Sequence, residues 1–251
     1  MRSIHSQLFK KHENILHAFS TKQNGHSKPP FSQNNLAYHV NDNLLDVQEN
    51  HLHYAQYLNY DIKKLVYMDQ VHGDSIHIIT QHSDLSQIPS CDALITQEKN
   101  IPLMVMVADC IPILIYDPIH QVIAVVHAGR AGIFKKLIPK TIQTMQESYH
   151  SKPSDIIIVL GPSIRQCCYE VGIEIYNEAK ALSYEYALQI KGKHYYLDLI
   201  SIAKQQLAEI KVNKNNIDIL DYCTACHHNL FFSYRAEENN TGRFSGLIML
   251  K

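Results

Sequence analysis

The chain has 251 residues, 23 Lys and Arg against 24 Asp and Glu, and a formal net charge of −1. Such a balance excludes a nucleic-acid partner of the usual kind, because those modules carry a basic face, and it favours a small neutral or anionic substrate. No run of residues is long and apolar enough for a signal peptide or a membrane span, so we expect a cytoplasmic protein without a membrane partner. Our expectation for its association state is a monomer or a weak homo-oligomer.

The first half of the chain predicts a loop, a helix and a block of strands. The segment 15–35 ends in TKQNGHSKPPFSQNN, whose Gly, Pro, Ser and Asn content is typical of an exposed loop. Residues 43–58 repeat apolar side chains at helical spacing and predict an amphipathic helix. From residue 64, short apolar runs between turn residues predict buried strands: KLVYM, SIHII, CDALIT, PLMVMVA, IPILIY and QVIAVVHA.

The second half mixes helices and strands. The apolar spacing predicts helices over 132–149, despite Pro139, and over 173–187 and 199–211. Strands are predicted in DIIIVL, at 217–220 and in FSGLIML. This order predicts an α/β (α+β) sandwich, a single domain over 1–251 in which helices flank a central mixed β-sheet.

Three residues at predicted strand ends form a candidate metal site. His72 in QVHGD, Cys110 in ADCIP and His127 in VVHAG each lie at a strand end or in a short turn, so they can meet on one rim of a sheet. Two imidazoles and a thiolate form a known catalytic zinc set with a free fourth position. Taken singly, each is more often a packed or hydrogen-bonded side chain, so the residues alone leave both readings open.

Two rival metal chemistries lack their signatures. A nucleobase-deaminase zinc site requires H-x-E followed by P-C-x-x-C, and neither string occurs. Multi-copper oxidases carry several H-x-H pairs, whereas this chain has one, His51-Leu52-His53, on a predicted helix where the two side chains diverge. Copper is therefore less favoured than Zn²⁺.

The remaining cysteines allow several readings. Cys223-Thr224-Ala225-Cys226-His227 satisfies the pattern for haem attachment and could equally offer ligands to zinc. In a reducing compartment disulfides are unusual, and we favour structural thiols at Cys223 and Cys226. Cys167 and Cys168 are adjacent, which does not suit a relaxed disulfide between them, so packing is the expected role of this pair.

Motifs along most of the chain resemble the YfiH-like family, also called laccase-domain or polyphenol-oxidase-like proteins. They are QVHGD, CDALIT, ADCIPILIYDP, VVHAG, GPSIRQCCYEVG and CTACHHNLFFSYR followed by NTGRFSGLI. The resemblance implies phosphorolysis of adenosine, inosine, guanosine and methylthioadenosine, with deamination of adenosine, so the partners are a purine nucleoside and phosphate. It also implies a metal site of His72, Cys110 and His127, and places no haem at Cys223.

The resemblance also implies a substrate-pocket wall, and the chain departs from the family at two points. The wall comprises Phe232, Tyr234 and Arg235, which are suited to base stacking and anion contact. The family usually reads HAGWRG where this chain has HAGRAG, so Arg130 replaces a tryptophan and Ala131 an arginine. A second family arginine, in an element near residue 22, corresponds to KQNG here.

Further roles follow from residue chemistry. Arg235 and Arg243 are candidate anion partners, because a guanidinium can hydrogen-bond phosphate through two nitrogens, but each is equally compatible with a solvated surface charge. Asp109, beside Cys110, is a candidate to orient a histidine or move a proton, or merely to cap a turn. Zinc at the three ligands could orient phosphate or activate water.

Two hypotheses of other classes remain open. Without metal, Cys110 and His127 could form a nucleophilic pair in an amide hydrolase or a peptidoglycan-precursor editing enzyme. The altered HAGRAG element is also compatible with a binding protein that has no catalytic activity.

Overall fold

A computed structural model gives the structure of residues 2–251; Met1, which the predicted domain includes, lies outside the described residues. The strands, in chain order, are β1 (Ser3–Ile4), β2 (Ile15–Ser20), β3 (Ile76–Ile79), β4 (Ala93–Thr96), β5 (Leu103–Val107), β6 (Ile111–Asp117), β7 (Val122–Ala128), β8 (Ile157–Leu160), β9 (Glu170–Val171), β10 (Leu188–Lys191), β11 (His194–Leu197), β12 (Ile217–Ile219) and β13 (Phe244–Leu250). The helices are α1 (Leu44–Leu58), α2 (Arg130–Phe134), α3 (Leu137–Tyr149), α4 (Ile173–Ala181) and α5 (Leu199–Glu209).

These strands form two large sheets and one small one. The six-stranded sheet has the order β12-β8-β6-β7-β4-β3, and it is mixed because β12–β8 and β3–β4 pair in parallel while the inner pairs are antiparallel. The four-stranded sheet has the order β1-β2-β13-β5, and the small one the order β10-β11-β9. The predicted α+β class with a mixed sheet and flanking helices is confirmed; the second large sheet was not predicted.

The apolar side chains alternate between layers, which explains why whole strands are buried. In β6, Ile113 and Ile115 pack in the cluster shared with α2, α3 and α5, whereas Leu114 and Tyr116 face the four-stranded sheet. Side chains two residues apart lie on the same face of a strand. Because both faces of the six-stranded sheet are covered, β6 and β7 are buried at every position. The outer face of the four-stranded sheet packs against α1, through Met104 and Tyr54 among others.

Three predicted elements differ from the structure. The helix expected over 132–149 is two helices, because Lys136 takes a left-handed conformation (φ 60°) and α3 starts afresh at Leu137. Pro139 thereby falls in the first turn, where a missing N–H is tolerated. The helix expected over 173–187 ends at Ala181, and Ser183 has φ 63°. KLVYM forms only an isolated bridge, from Val66 to Leu103.

Elements were also missed by the sequence analysis. The segment beginning at residue 15 contains β2 before its loop, and β10 and β11 form a hairpin after α4.

Predicted α1, α5, β12 and β13 are present within one or two residues of the expected limits. Within residues 2–251, none of the helices combines the length and apolar character needed to cross a membrane.

Candidate active site and metal centre

The fold brings His72, Cys110 and His127 together. Cys110 immediately precedes β6, on the crossing from β5 in one large sheet to β6 in the other, and His127 is near the end of β7. Since β6 and β7 are antiparallel, the start of one and the end of the other meet at the same edge, where His127 pairs with Pro112. His72 reaches this edge from the turn before β3, in a left-handed conformation with φ 56°. We call these three residues the trio.

The trio can hold a metal ion. One ligand atom from each residue lies within 4.8 Å of the other two, and Cys110 Sγ is 4.0 Å from His72 Nε2. A Cβ at Gly129 would lie 3.0 Å from Cys110 Sγ and 3.3 Å from His72 Cδ2, so the glycine leaves room for the trio. One thiolate and two imidazoles match zinc with one coordination position left open.

Asp92, which sequence analysis did not identify as a site residue, orients the His127 ring and holds the backbone at His72. Its side chain is fully buried, and Oδ1 lies 2.8 Å from His127 Nδ1. Nε2 is then the ring nitrogen of His127 that is left to bind a metal. The same carboxylate accepts the backbone N–H of His72 at 3.1 Å and of Gly73 at 2.6 Å. A carboxylate behind a ligand histidine fixes its tautomer and ring orientation. The only available sequence signal was the position of Asp92 in the CDALIT motif.

Charges within the site oppose the effect of burial. Burial alone would raise the pKa of Cys110, but the positive charge of His127 and hydrogen bonds from both histidines lower that pKa to about 6. Burial would likewise lower the pKa of His127, but the Cys110 thiolate and Asp92 raise it to about 9. Without metal, the site therefore favours a thiolate facing an imidazolium near neutral pH.

A cavity of about 510 Å³ opens beside the trio. Its size is within the range of small-molecule sites. All three trio residues line it, together with the predicted Asp109, Tyr234, Arg235 and Arg243. Side chains that sequence analysis did not single out complete much of the wall: His39, Gln70, Met106, Ile164 and Tyr169.

The two predicted arginines are held differently. Arg235 donates through its two terminal nitrogens to Cys168 O at 3.2 Å and Glu170 O at 2.8 Å. Arg243 donates from one nitrogen to the carbonyls of Thr241 and Gly242, at 2.8 and 2.9 Å. Burial lowers the pKa of Arg243 from its ordinary value, but a guanidinium keeps its charge at physiological pH. Each guanidinium therefore keeps three of its five N–H donors, but Arg243 keeps two whole nitrogens without a protein partner, whereas Arg235 keeps one.

Asp109 acts as an anchor for the last loop. Its Oδ1 accepts from the hydroxyls of Thr224 and Ser233 at 2.6 and 2.8 Å, and its Oδ2 accepts from the backbone N–H of Arg235 at 2.7 Å. Asp109 itself has φ 85° in the turn before Cys110. These bonds join the loop of residues 223–235 to the turn before Cys110.

The structure corrects the role expected of Phe232. Its side chain is fully buried in the core between the two large sheets. A ring in that position offers no face to a base, so the expected stacking role of Phe232 is wrong. Tyr234 is 45% exposed and lines the cavity, with the Arg243 guanidinium 5.8 Å from its ring centre.

The two departures from the family pattern lie away from the cavity wall. Arg130 starts α2 and pairs with Glu178 at 2.7 Å. Lys22 pairs with Glu237 at 2.7 Å and lies 5.5 Å from the Phe232 ring centre. Among the residues described, the cavity lining includes neither Arg130 nor Lys22.

Comparison with known proteins places the chain in a family. The family model described as "multi-copper polyphenol oxidoreductase laccase" matches residues 16–251. Purine nucleoside phosphorylase YlmD of Bacillus subtilis is 30% identical, over 98% of this chain and 92% of its own length, and a purine nucleoside phosphorylase of Clostridium acetobutylicum is 34% identical, over 93% and 91%. The crystal structure of Bacillus licheniformis hypothetical protein YfiH superposes with a TM-score of 0.91 at 31% identity, covering 97% and 94% of the two chains.

These matches define a class of protein. The chain belongs to the laccase-domain, or YfiH-like, family, as the sequence motifs indicated. The matches at about 30% identity, which carry the name purine nucleoside phosphorylase, support an enzyme of that kind.

Proposed function

We propose that this chain is a Zn²⁺-dependent purine nucleoside phosphorylase acting on adenosine, inosine, guanosine and methylthioadenosine, which also deaminates adenosine. The observation that carries the proposal is the meeting of His72, Cys110 and His127 in the wall of a cavity that also contains Arg243. Relatives named purine nucleoside phosphorylase support it. A cytoplasmic location and a monomeric or weakly associated state belong to the same proposal.

In this proposal the trio holds Zn²⁺, with Asp92 fixing His127 from behind. When bound, the ion supplies Lewis-acid charge to an anionic or oxygen-bearing reactant. The chain supplies the geometry: Asp92 sets the His127 ring and also holds the backbone at His72 and Gly73. Because Asp92 holds both the His127 ring and the backbone of His72, its loss is expected to disturb two of the three ligands.

Phosphate binding is assigned to Arg243, with Arg235 in a supporting position. Arg243 is anchored by two backbone carbonyls, and its remaining N–H groups are available to an anion in the cavity. Arg235 uses both terminal nitrogens on the 168–170 backbone, so it shapes the wall and contributes longer-range positive charge. A fixed cation near the reacting centre stabilises negative charge without reorganisation.

Nucleoside binding is assigned to Tyr169, Tyr234 and His39. The two tyrosine rings line the cavity and offer faces to a purine. Desolvation, and the nearby charge of Arg243, lower the pKa of His39, so its ring is neutral at neutral pH and can both donate and accept a hydrogen bond.

The two reactions differ in which bond breaks. In phosphorolysis the bond from ribose C1′ to purine N9 breaks, a phosphate oxygen bonds to C1′, and the base leaves with a proton. Arg243 is placed to hold the phosphate while the tyrosines hold the base, which limits the relative motion of the reactants. In deamination, water replaces the amino group at purine C6 and ammonia leaves.

Product analysis on a nucleoside panel tests the proposal. With phosphate, adenosine is expected to give adenine and ribose 1-phosphate, together with ammonia and with inosine or the hypoxanthine formed from it; without phosphate it is expected to give only inosine and ammonia. The His72→Ala variant is expected to lose both activities, whereas His82→Ala, at an exposed histidine, retains them. If zinc-loaded wild type forms none of these products, the proposal fails and a binding protein without catalytic activity becomes the favoured alternative.

A second function rests on one observation, the Cys110–His127–Asp92 chain. Asp92 holds His127, and His127 lowers the pKa of Cys110 to about 6, as in a thiol hydrolase. In that case the protein would be a Cys/His amide hydrolase, for example a peptidoglycan-precursor editing enzyme. Activity in the metal-free protein, abolished by a thiol alkylator, would support it; activity that requires stoichiometric zinc would exclude it.

A further inference from the structure

Four cysteines outside the trio lie together. Cys167 and Cys168 are in the loop between β8 and β9, and Cys223 and Cys226 are in the loop after β12. One sulfur from each lies within 4.8 Å of the other three. The sequence led us to expect packing for one pair and isolated structural thiols for the other, and it gave no reason to bring the two pairs together. We call these residues the four-cysteine cluster.

The sulfur separations fit a shared metal ion. Cys226 Sγ is 3.8 Å from Cys167 Sγ and 3.4 Å from Cys168 Sγ. Tetrahedral coordination with Zn–S bonds of about 2.3 Å puts neighbouring sulfurs about 3.8 Å apart. A disulfide requires about 2.05 Å, and all four residues are free thiols.

The backbone holds the two loops in register. Ser163 and Cys223 form a parallel bridge, in which Thr224 N donates to Ser163 O at 3.1 Å and Ser163 N donates to Tyr222 O at 3.2 Å. Cys223 and Cys226 have the C-x-x-C spacing of a zinc knuckle. His227 donates its backbone N–H to Cys223 O at 2.9 Å and has Nδ1 3.0 Å from the same atom. The candidate ligand atoms within 4.8 Å of one another are the four sulfurs, without His227.

We propose that the four-cysteine cluster binds a structural Zn²⁺, separate from the metal site of the trio. Four thiolates fill the coordination sphere, so this ion has no position for substrate and does not take part in chemistry. Binding releases the thiol protons and leaves two net negative charges. The guanidinium of Arg165, which precedes the cysteine pair and is fixed by Ser163 and Leu220, offsets part of that charge.

The place of this ion in the fold gives it a role. The loop that carries Cys167 and Cys168 also carries Ile164 and Tyr169 of the cavity wall, and the loop of Cys223 and Cys226 leads to Tyr234 and Arg235. Arg235 bonds to the carbonyls of Cys168 and Glu170. An ion shared by the two loops therefore joins two sections of the cavity wall that the chain sequence separates.

Zinc stoichiometry of the purified protein tests this proposal. Wild type is expected to contain about two equivalents of zinc per chain, one at each site. Cys110→Ser disables the trio and is expected to keep about one equivalent, because the four-cysteine cluster is the other group in residues 2–251 with ligand atoms close enough to hold it. Cys226→Ser is expected to keep the other, and the variant with both substitutions neither. Cys91→Ser, at a buried cysteine outside both sites, is the matched control and keeps wild-type content.

Cys110→Ser leaves the cluster intact, so the proposal does not depend on whether Cys226→Ser folds. Cobalt substituted into folded Cys110→Ser is expected to show the intense charge-transfer and ligand-field bands of a four-thiolate tetrahedral site. Folded Cys110→Ser without zinc, or with cobalt spectra lacking thiolate ligation, would overturn the proposal. An intact mass lower by two hydrogens per cysteine pair would also overturn the proposal, because that loss indicates disulfides. These readouts do not depend on phosphorolysis, so failure of the proposed function would leave them unchanged.

Discussion

The trio and the four-cysteine cluster differ in donor number and in their support. The trio has three donors next to a cavity, and two of them are fixed by the ends of buried strands at the junction of the two sheets. The four-cysteine cluster has four donors, all in loops. An incomplete donor set on a rigid edge suits chemistry, whereas a complete set between loops suits structural support. Donor number and support therefore predict different consequences of losing each site.

The pKa values of the cysteines also differ between the trio and the four-cysteine cluster. In the trio, His127 stabilises the thiolate and lowers the pKa of Cys110 to about 6. In the four-cysteine cluster, partial desolvation of its sulfur and the neighbouring Cys223 raise the pKa of Cys167 to about 11. Desolvation opposes ionisation of Cys223 too, but hydrogen bonds from the backbone of Cys226 and Arg165 lower the pKa of that thiol. Sulfurs that face one another repel when ionised, so only a bound cation allows all four to be thiolates. Without an ion, the trio therefore holds a thiolate beside an imidazolium, whereas full ionisation of the four-cysteine cluster requires a bound cation.

The largest expected effect is loss of activity in Cys110→Ser. Removing a direct ligand should lower kcat/KM by more than ~100-fold, because even a supporting partner typically contributes ~10–100-fold. Phosphorolysis assays with zinc quantified in the same samples check this. Activity within tenfold of wild type would show that the trio is not the reactive site, and the contrast between the two metal sites would be lost.

Asp92→Asn is expected to have the second-largest effect. The amide keeps the shape of Asp92 but loses the charge that holds His127, so zinc affinity or activity should fall ~10–100-fold. Zinc titration with a competing chelator measures the affinity. Asp84→Asn, at an exposed carboxylate, is the control and should match wild type. An unchanged zinc affinity in Asp92→Asn would show that the trio does not need this support.

Much of the framework was predictable from sequence because its pattern is strong. The strands β4 to β8 are continuous apolar runs bounded by turn residues, and α1 has clear helical spacing. The trio was predictable as strand-end residues with suitable chemistry. The two-sheet arrangement was not, because burial on both faces gives the same apolar run whether helices or a second sheet cover the strand.

The missed site features share a physical cause. Asp92 acts through hydrogen bonds to residues 20 and 35 positions away, and spacing along the chain does not reveal such contacts. The four-cysteine cluster requires two loops to meet, 58 residues apart between Cys168 and Cys226. Phe232 was misjudged because its motif suggests a pocket wall, whereas packing in the core decides where the ring lies.

A smaller effect is expected in thiol alkylation, whose pH dependence should differ between Cys110 and the exposed Cys167. In metal-free protein the lowered pKa means that Cys110 becomes thiolate as pH rises through about 6 and stays so above it. At pH 7 its thiolate fraction should be roughly 30-fold that of an ordinary cysteine, of which a few per cent is ionised. Iodoacetamide labelling from pH 5 to 9, read by peptide mass spectrometry, should give a midpoint near pH 6.

Cys167 provides the internal comparison for that experiment. Its pKa is raised to about 11, so its labelling should still be increasing at pH 9 although the side chain is exposed. Replacing His127 with Asn removes the imidazolium and should move the Cys110 midpoint upward. A wild-type Cys110 midpoint above pH 8 would mean that His127 does not stabilise the thiolate.

The smallest expected effect is on the kinetics of Cys226→Ser. Arg235 is held by the carbonyls of Cys168 and Glu170. If loss of the ion loosens the two cysteine loops, substrate must order the Arg235 side chain on binding. Such ordering costs about 0.5–1 kcal/mol, or roughly a two- to five-fold increase in KM, while kcat is unchanged because the trio is intact. Steady-state assays on zinc-loaded protein measure both constants, with Cys91→Ser as the control. A loss of kcat as large as that in Cys110→Ser would show that the two sites share one function, because a purely structural ion acts on the wall of the cavity and leaves the reacting groups in place.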